Sequence, residues 1–249
     1  MNAIDTHSPW FQTWFDTPYY HILYANRDHK EASAFIDRLV TALGLKNGDK
    51  VMDLACGRGR HSLHLASKGF LVTGLDLSQN SIDSLIHYNN DTLHFEQWDM
   101  RVPYKEDGYD VVFNLFTSFG YFESSVENLK VLGAMKKVIK EGGHVLIDYL
   151  NVKKALTVID KKEHISRQGV EFFTSKSFRD GCIIKEITVS DGDQELNFSE
   201  SVQALTLDDF NVLIEKADLK LVQTFGDYHL NPFDEIRSPR LILHLKGRN

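Results

Sequence analysis

The stretch MDLACGRGRHS, residues 52–62, runs from apolar residues through an acid into two glycines one residue apart and on to a helix start. Gly57 and Gly59 sit where an extended run gives way to a helical one. Glycine accepts backbone angles that side chains resist, and it lets a ligand touch bare main chain. The helix start behind it offers free N–H groups and a partial positive charge, which together attract a phosphate or a carboxylate. A tight strand-to-helix turn also needs glycine with no ligand present, so the flanking sequence has to decide.

Outward from this loop, helical and extended patterns alternate between residues 30 and 150. KEASAFIDRLVTALG carries Phe35, Ile36, Leu39, Val40 and Leu43 at helical spacing, with Gly44 as a stop. KVMDLA is a short apolar run of the kind a buried parallel strand needs. HSLHLASKG reads as a helix, FLVTGLDL as a second strand, and Ser78 as an N-cap before a stripe of Ile82, Leu85 and Ile86. LHFEQWD and YDVVFNLF read as the third and fourth strands. SVENLKVLGAMKKVIKEGG reads as a helix with Val126, Leu129, Leu132 and Ile139 on one side, and HVLIDYLN as the fifth strand. This alternation predicts an α/β fold with a doubly wound, mostly parallel sheet. Such sheets bind ligands at the carboxyl ends of their strands, where strand order reverses.

The pattern changes over residues 165–205. Short β-rich runs broken by RDG and DGD turn signals predict two or three antiparallel strands. At 206 the α/β pattern returns. Thr206 with Asp209 suits a capping box, and Phe210, Leu213, Ile214 and Ala217 follow helical spacing before two last strands. The expected organisation is an N-terminal helical lid over 1–29, a ligand-binding domain over 30–160 and 206–249, and an antiparallel β insertion over 161–205.

The composition is compatible with this. The chain has 249 residues, 42% of them hydrophobic, enough for a substantial core. A net charge of -7 argues against an even basic face for nucleic acid. Cys56 and Cys182 read as free thiols of a reducing compartment. The N-terminus lacks a signal-peptide pattern, and no run approaches the ~20 apolar residues of a membrane span. A cytoplasmic protein without membrane attachment is expected.

Three acids sharpen the reading of the glycine loop. Asp53 lies just ahead of it, Asp76 ends the second strand 19 residues after Gly57, and Asp99 follows the third. A carboxylate at 53 repels a pyrophosphate but suits an ammonium group. One at 76 can accept both ribose hydroxyls. One at 99 can accept from an adenine amino group, with Met100 over the ring. A dinucleotide fingerprint would need glycine at 62, where Ser62 stands. The ligand that fits is S-adenosylmethionine: adenosine at one end, an α-amino acid at the other, no phosphate.

VMDLACGRGRHS, VTGLDLS, EQWDM and YDVVFNLFTSFGYF, in this order, resemble the successive motifs of class I S-adenosylmethionine-dependent methyltransferases, of the small-molecule type with a β insertion. The resemblance covers residues 30–150 and departs from the usual loop at Ala55, which stands at the first glycine place. It implies a Rossmann-like seven-stranded sheet whose last strands form an antiparallel hairpin. It implies that Asp53, Ala55, Gly57, Gly59, Asp76, Leu77, Asp99, Met100, Asn114 and Leu115 surround the cofactor, and that Thr117, Ser118 and Tyr121 face a small-molecule methyl acceptor.

Methyl transfer from a sulfonium needs alignment and exclusion of water more than a dedicated base. If a base is used, His229 in the last loop is the candidate, beside Tyr228, and Tyr121 is the second catalytic candidate. Tyr20, Tyr24 and Arg27 share one helical face, and the two tyrosines are expected to close over the cofactor, in contact with its sulfonium. No metal site is expected, since His61 and His64 lack Cys or acid partners. The insertion either covers the acceptor or pairs by its edge, leaving monomer and homodimer open. Two other readings stand beside the methyltransferase: a non-catalytic S-adenosylmethionine or S-adenosylhomocysteine-binding module, and a nicotinamide-dependent oxidoreductase, against which Ser62 and Asp53 both argue.

Overall fold

The computed structural model describes residues 9–25, 29–105 and 107–248. Two short helices come first, α1 (Trp10–Trp14) and α2 (Pro18–Leu23), followed by α3 (His29–Leu43). The α/β alternation then runs β1 (Lys50–Leu54), α4 (Arg60–Ser67), β2 (Leu71–Asp76), α5 (Gln79–Asp83), β3 (Leu93–Gln97), β4 (Tyr109–Asn114), α6 (Ser125–Val138) and β5 (Ile139–Leu150). After α7 (Val152–Leu156) come β6 (Lys162–Arg167), β7 (Val170–Arg179), β8 (Cys182–Asp191) and β9 (Gln194–Gln203). The chain closes with α8 (Leu207–Lys216), β10 (Leu219–Phe225) and β11 (Arg240–Gly247).

Seven strands form the main sheet in the order β10-β11-β5-β4-β1-β2-β3. β1 to β5 are parallel; β11 is antiparallel to both β5 and β10. Strand order reverses between β4 and β1, so the glycine loop after β1 and the turn after β4 meet at the topological switch. Side chains alternate across the pleat. Met52, Leu54 and Val112 face α6 and α8, while Val51, Val72 and Val111 face α3, α4 and α5. Each buried Leu or Phe on these faces contributes about 1.5–3 kcal/mol.

The remaining strands make a separate four-stranded antiparallel sheet, β6-β7-β8-β9. Four strands replace the two or three expected, because the Gln168–Gly169 turn lacks the Asp–Gly signature. It nonetheless holds positive φ at both residues, 53° and 81°, like Asp180–Gly181 at 51° and 74°. One face of this sheet packs on the N-terminal helices: Trp14 and Leu23 bury against Val170, Phe172, Ile187 and Val189. Residues 1–8 and 26–28, including Arg27, lie outside the described residues.

Two helix stripes differ from expectation. After α5, held by Ser78 accepting from the Ser81 N–H at 3.0 Å, the chain drops into a single turn of 3-10 helix at Ile86–Tyr88, and Ile86 is 56% exposed. On α6 the buried face is Asn128, Val131, Leu132, Met135 and Val138, while Val126 is 59% exposed. Its helix ends at Val138, because Ile139 already pairs with Tyr109 in the sheet. The Thr206–Asp209 capping box is present.

Candidate active site

At the carboxyl ends of β1 to β4 lies a cavity of about 980 Å³, roofed by α1 and α2. The glycine loop forms its floor. Gly57 stands at φ 55° and Gly59 at φ 71°. Ala55, in the place of a first glycine, stands at φ 63° and carries the left-handed strain itself, about 1–2 kcal/mol for a side-chain-bearing residue.

Asp76 ties this loop to the cavity. Its Oδ2 accepts from the Gly57 N–H at 2.7 Å and its Oδ1 from the Ser78 N–H at 2.8 Å. Burial raises the Asp76 carboxyl above the usual carboxylate range, against the N–H groups of Ser78, Gly57 and Leu77. Beyond β3, Asp99 also lines the cavity, gripped by Arg101, whose Nη2 lies 2.6 Å from its Oδ2 and whose Nη1 bonds Glu127 at 2.5 Å. Burial disfavours the Asp99 charge, but Arg101 outweighs it and holds the carboxyl below its usual range.

Of the residues expected around the ligand, Ala55, Gly57, Asp76, Leu77, Asp99 and Met100 line the cavity, as do Leu115, Tyr20, Tyr24 and Tyr121. Five do not reach its wall: Asp53, Gly59, Asn114, Thr117 and His229. Asp53 lies beneath the loop, 1% exposed, accepting from Ser62 Oγ at 2.6 Å. Burial lifts its carboxyl to about 6. It braces α4 against β1 instead of meeting an ammonium group directly. Gly59 faces inward, where a Cβ would come within 3.0 Å of Leu85 and Phe95, so it is glycine for packing as well as for its φ. Asn114 is fully buried and donates to the Leu54 carbonyl at 3.0 Å, fixing the end of β1. His229 is exposed, and its backbone N–H donates to the Asp227 carboxylate at 2.9 Å. Its neighbour Tyr228 turns inward instead, against Phe35 at 4.5 Å.

Among the wall residues, Asp16, His21 and Gln168 were not marked by any local pattern in the sequence. Phe116 is stacked on His61 at 5.0 Å, with the Arg60 guanidinium 4.1 Å from its ring. Tyr121 packs among Trp10, Phe11 and Phe15, and its hydroxyl donates to the Thr117 carbonyl. In the roof, Asp16 accepts from Ser78 Oγ at 2.5 Å and Asn80 Nδ2 at 2.6 Å, latching the α1–α2 connection to the residues after Asp76. His21 lines the cavity with its pKa pushed to about 4 by burial and by Arg58, so its ring is uncharged at neutral pH. Tyr24 donates to Glu200 at 2.7 Å on the insertion, and Gln168 brings the insertion to the cavity wall. No group of three or more potential metal ligands exists among the described residues, and none of the described helices is long and apolar enough to cross a membrane.

A family model described as "Methyltransferase domain" matches residues 45–219. A Geobacillus sp. (strain WCH70) protein carrying a methyltransferase name is 26% identical over 141 residues, 55% of each chain. The chain spans about half the length of the curated relatives it matches. Among solved structures, an S-adenosylmethionine-dependent methyltransferase of Clostridium acetobutylicum superposes with a TM-score of 0.79 at 19% identity, covering 93% of this chain and 96% of the other. A methyltransferase of Streptomyces caelestis gives 0.78 at 17% identity, covering 96% and 99%.

Proposed function

The chain belongs to the methyltransferase-domain family, and from that premise we propose that it transfers a methyl group from S-adenosylmethionine to a small-molecule acceptor inside the roofed cavity. The observation that carries this is Asp76. It ends β2 at the cavity wall and ties the Gly57 and Ser78 amides to that wall, the place from which a carboxylate accepts a ribose diol. Ser62 strengthens the case against a dinucleotide. It replaces the third fingerprint glycine, and its hydroxyl is committed to the buried Asp53. The donor set fits the cofactor: Asp76 for the sugar, Asp99 with Leu77 and Met100 for the base, and the Gly57 loop with the start of α4 for the carboxylate.

When bound, S-adenosylmethionine supplies a methyl on a sulfonium leaving group. The protein's part is orientation and dryness. Phe15, Tyr20 and Tyr24 line the roof, where Tyr121 packs against Phe15, and Phe116 lines the wall beside Arg60 and His61, so the acceptor enters a largely aromatic enclosure that limits water. Tyr121 directs its hydroxyl at the Thr117 carbonyl and serves as wall more readily than as base. His21 lines the cavity uncharged, but with its pKa lowered to about 4 it is a weak base, so orientation rather than a dedicated base carries the reaction.

Titration calorimetry with S-adenosylmethionine, S-adenosylhomocysteine and NADH tests the reading: binding of the first two and not of NADH is expected. Asp76→Ala should weaken S-adenosylmethionine by about 1–3 kcal/mol, the scale of a hydrogen bond to a charged group. An unchanged Kd in that variant removes the ribose role.

A further inference from the structure

Two consecutive side-chain-bearing residues directly after β4, Phe116 and Thr117, each stand at φ 61°. Left-handed backbone at one such residue is uncommon, and at two in a row it persists only where the surroundings over-determine it. The surroundings here are a buried ion pair. Asp148, at the end of β5, is wholly buried and bonds Arg240, the first residue of β11, through Nε at 2.7 Å. Both partners also reach the turn. Asp148 Oδ2 accepts from the Phe116 N–H at 2.8 Å, and the Asp148 carbonyl accepts from the Thr117 N–H at 2.9 Å. Arg240 Nη2 donates to Thr117 Oγ1 at 2.7 Å. Tyr228 adds its hydroxyl to Asp148 Oδ2 at 3.2 Å.

We propose that Asp148 and Arg240 are positioning residues, whose ion pair clamps the Phe116–Thr117 turn in the shape that faces Phe116 and Tyr121 into the cavity and thereby sets its affinity for the cofactor. The inference rests on the cofactor reading given above. Joining β5 to β11 does not require this pair. Backbone ladders already do that, and a buried pair replaced by apolar side chains is often as stable or more so. What apolar side chains cannot do is hold the Phe116 amide and the Thr117 hydroxyl of the neighbouring turn; the Thr117 amide is held by the Asp148 main-chain carbonyl whatever the side chain. Those contacts fix Phe116 between Arg60 and His61, and they fix the Thr117 carbonyl that receives the Tyr121 hydroxyl.

The test is S-adenosylhomocysteine binding by calorimetry to the full chain and three variants, each first checked for fold by circular dichroism. Arg240→Lys keeps the charge beside Asp148 but cannot span Asp148 and Thr117 together; its Kd should rise about tenfold. Adding Thr117→Gly, which holds the left-handed turn without a clamp, should recover most of that loss. Thr117→Val leaves the ion pair whole, deletes the hydroxyl, and should weaken binding in the same direction. Wild-type affinity in Arg240→Lys and Thr117→Val overturns the clamp, and so does a loss in Arg240→Lys that the glycine does not repair. Failure of the wild-type chain itself to bind overturns the cofactor reading instead.

Discussion

Asp53 and Ala55, two residues apart, each hold a conformation or a charge that their surroundings make costly. With Asp53 raised by burial to about 6 and an ordinary value of 3.8 in the unfolded chain, the native state keeps a proton between about pH 4 and pH 6 that the unfolded chain has lost. The contribution of this group to stability is therefore most favourable below pH 4. It declines as pH rises to 6, by about 3 kcal/mol in all. Asp53→Asn should flatten that decline: relative to wild type, the variant should gain about 2–3 kcal/mol between pH 4 and pH 7 in urea unfolding. A pH-independent difference between the two proteins counts against a protonated Asp53. Ala55 offers the converse case. Its φ of 63° belongs to glycine, so Ala55→Gly exchanges left-handed strain for extra freedom in the unfolded chain. The strain is the larger of the two, and the variant should be about 0.5–1 kcal/mol more stable in thermal melts.

At the scale of elements, α1 and α2 are joined to both bodies of the protein, but unequally. Toward the insertion they present a buried apolar face and the Trp14 Nε1 and Tyr24 hydroxyl bonds to Glu200, each at 2.7 Å. Toward the cofactor loop, Asp16 contributes its two bonds to Ser78 and Asn80. Trp10, Phe11 and Phe15 also pack on Tyr121 and Phe122 of the main domain, so the Asp16 latch to Ser78 and Asn80 is the polar seam at which the roof should part. Asp16→Ala should raise the dissociation rate of S-adenosylhomocysteine about fivefold, the kinetic equivalent of roughly 1 kcal/mol, read by stopped-flow tryptophan fluorescence. An unchanged rate would mean that the roof opens elsewhere. The strands and long helices behind this site were legible because a parallel sheet demands apolar runs and each helix covers one face. Asp76 and Asp99 were legible because strand ends in an open sheet aim at one crevice. Asp53 follows the same spacing, yet the side-chain period of two turns it under α4, toward Ser62. Asp148 lies near the carboxyl end of β5 and answers to the same rule. Its partner Arg240, 92 residues on, and the inward turn of Tyr228 in place of His229 depend on packing that no local pattern encodes. The same holds for Ile86 and Val126, apolar residues at helical spacing that the helix ends leave exposed.

Three apolar clusters divide the described residues. Two lie on opposite faces of the main sheet, and the third joins the insertion to the N-terminal helices. The third has few layers, and one residue, Trp14, is central to it: 1% exposed, 4.7 Å from the Phe198 ring, and bonded to Glu200. A small core that shares little with its neighbours can open on its own, below the free energy of global unfolding. Trp14→Ala removes about 3–5 kcal/mol from such a unit, more than a weakly coupled subdomain can absorb. Amide exchange should then accelerate across β7 to β9 while β1, β4 and β5 keep their protection. Because α1 and α2 also roof the cavity, ligand binding and the order of this unit are linked: whatever closes the cavity must stabilise the roof, and by reciprocity a loosened roof must weaken the ligand. S-adenosylhomocysteine should slow exchange over residues 10–25 in the wild-type chain, and Trp14→Ala should bind it more weakly although Trp14 does not line the cavity. Uniform acceleration throughout the main sheet in Trp14→Ala would mean that the three clusters unfold as one, and the roof would then have no independent motion with which to admit a ligand.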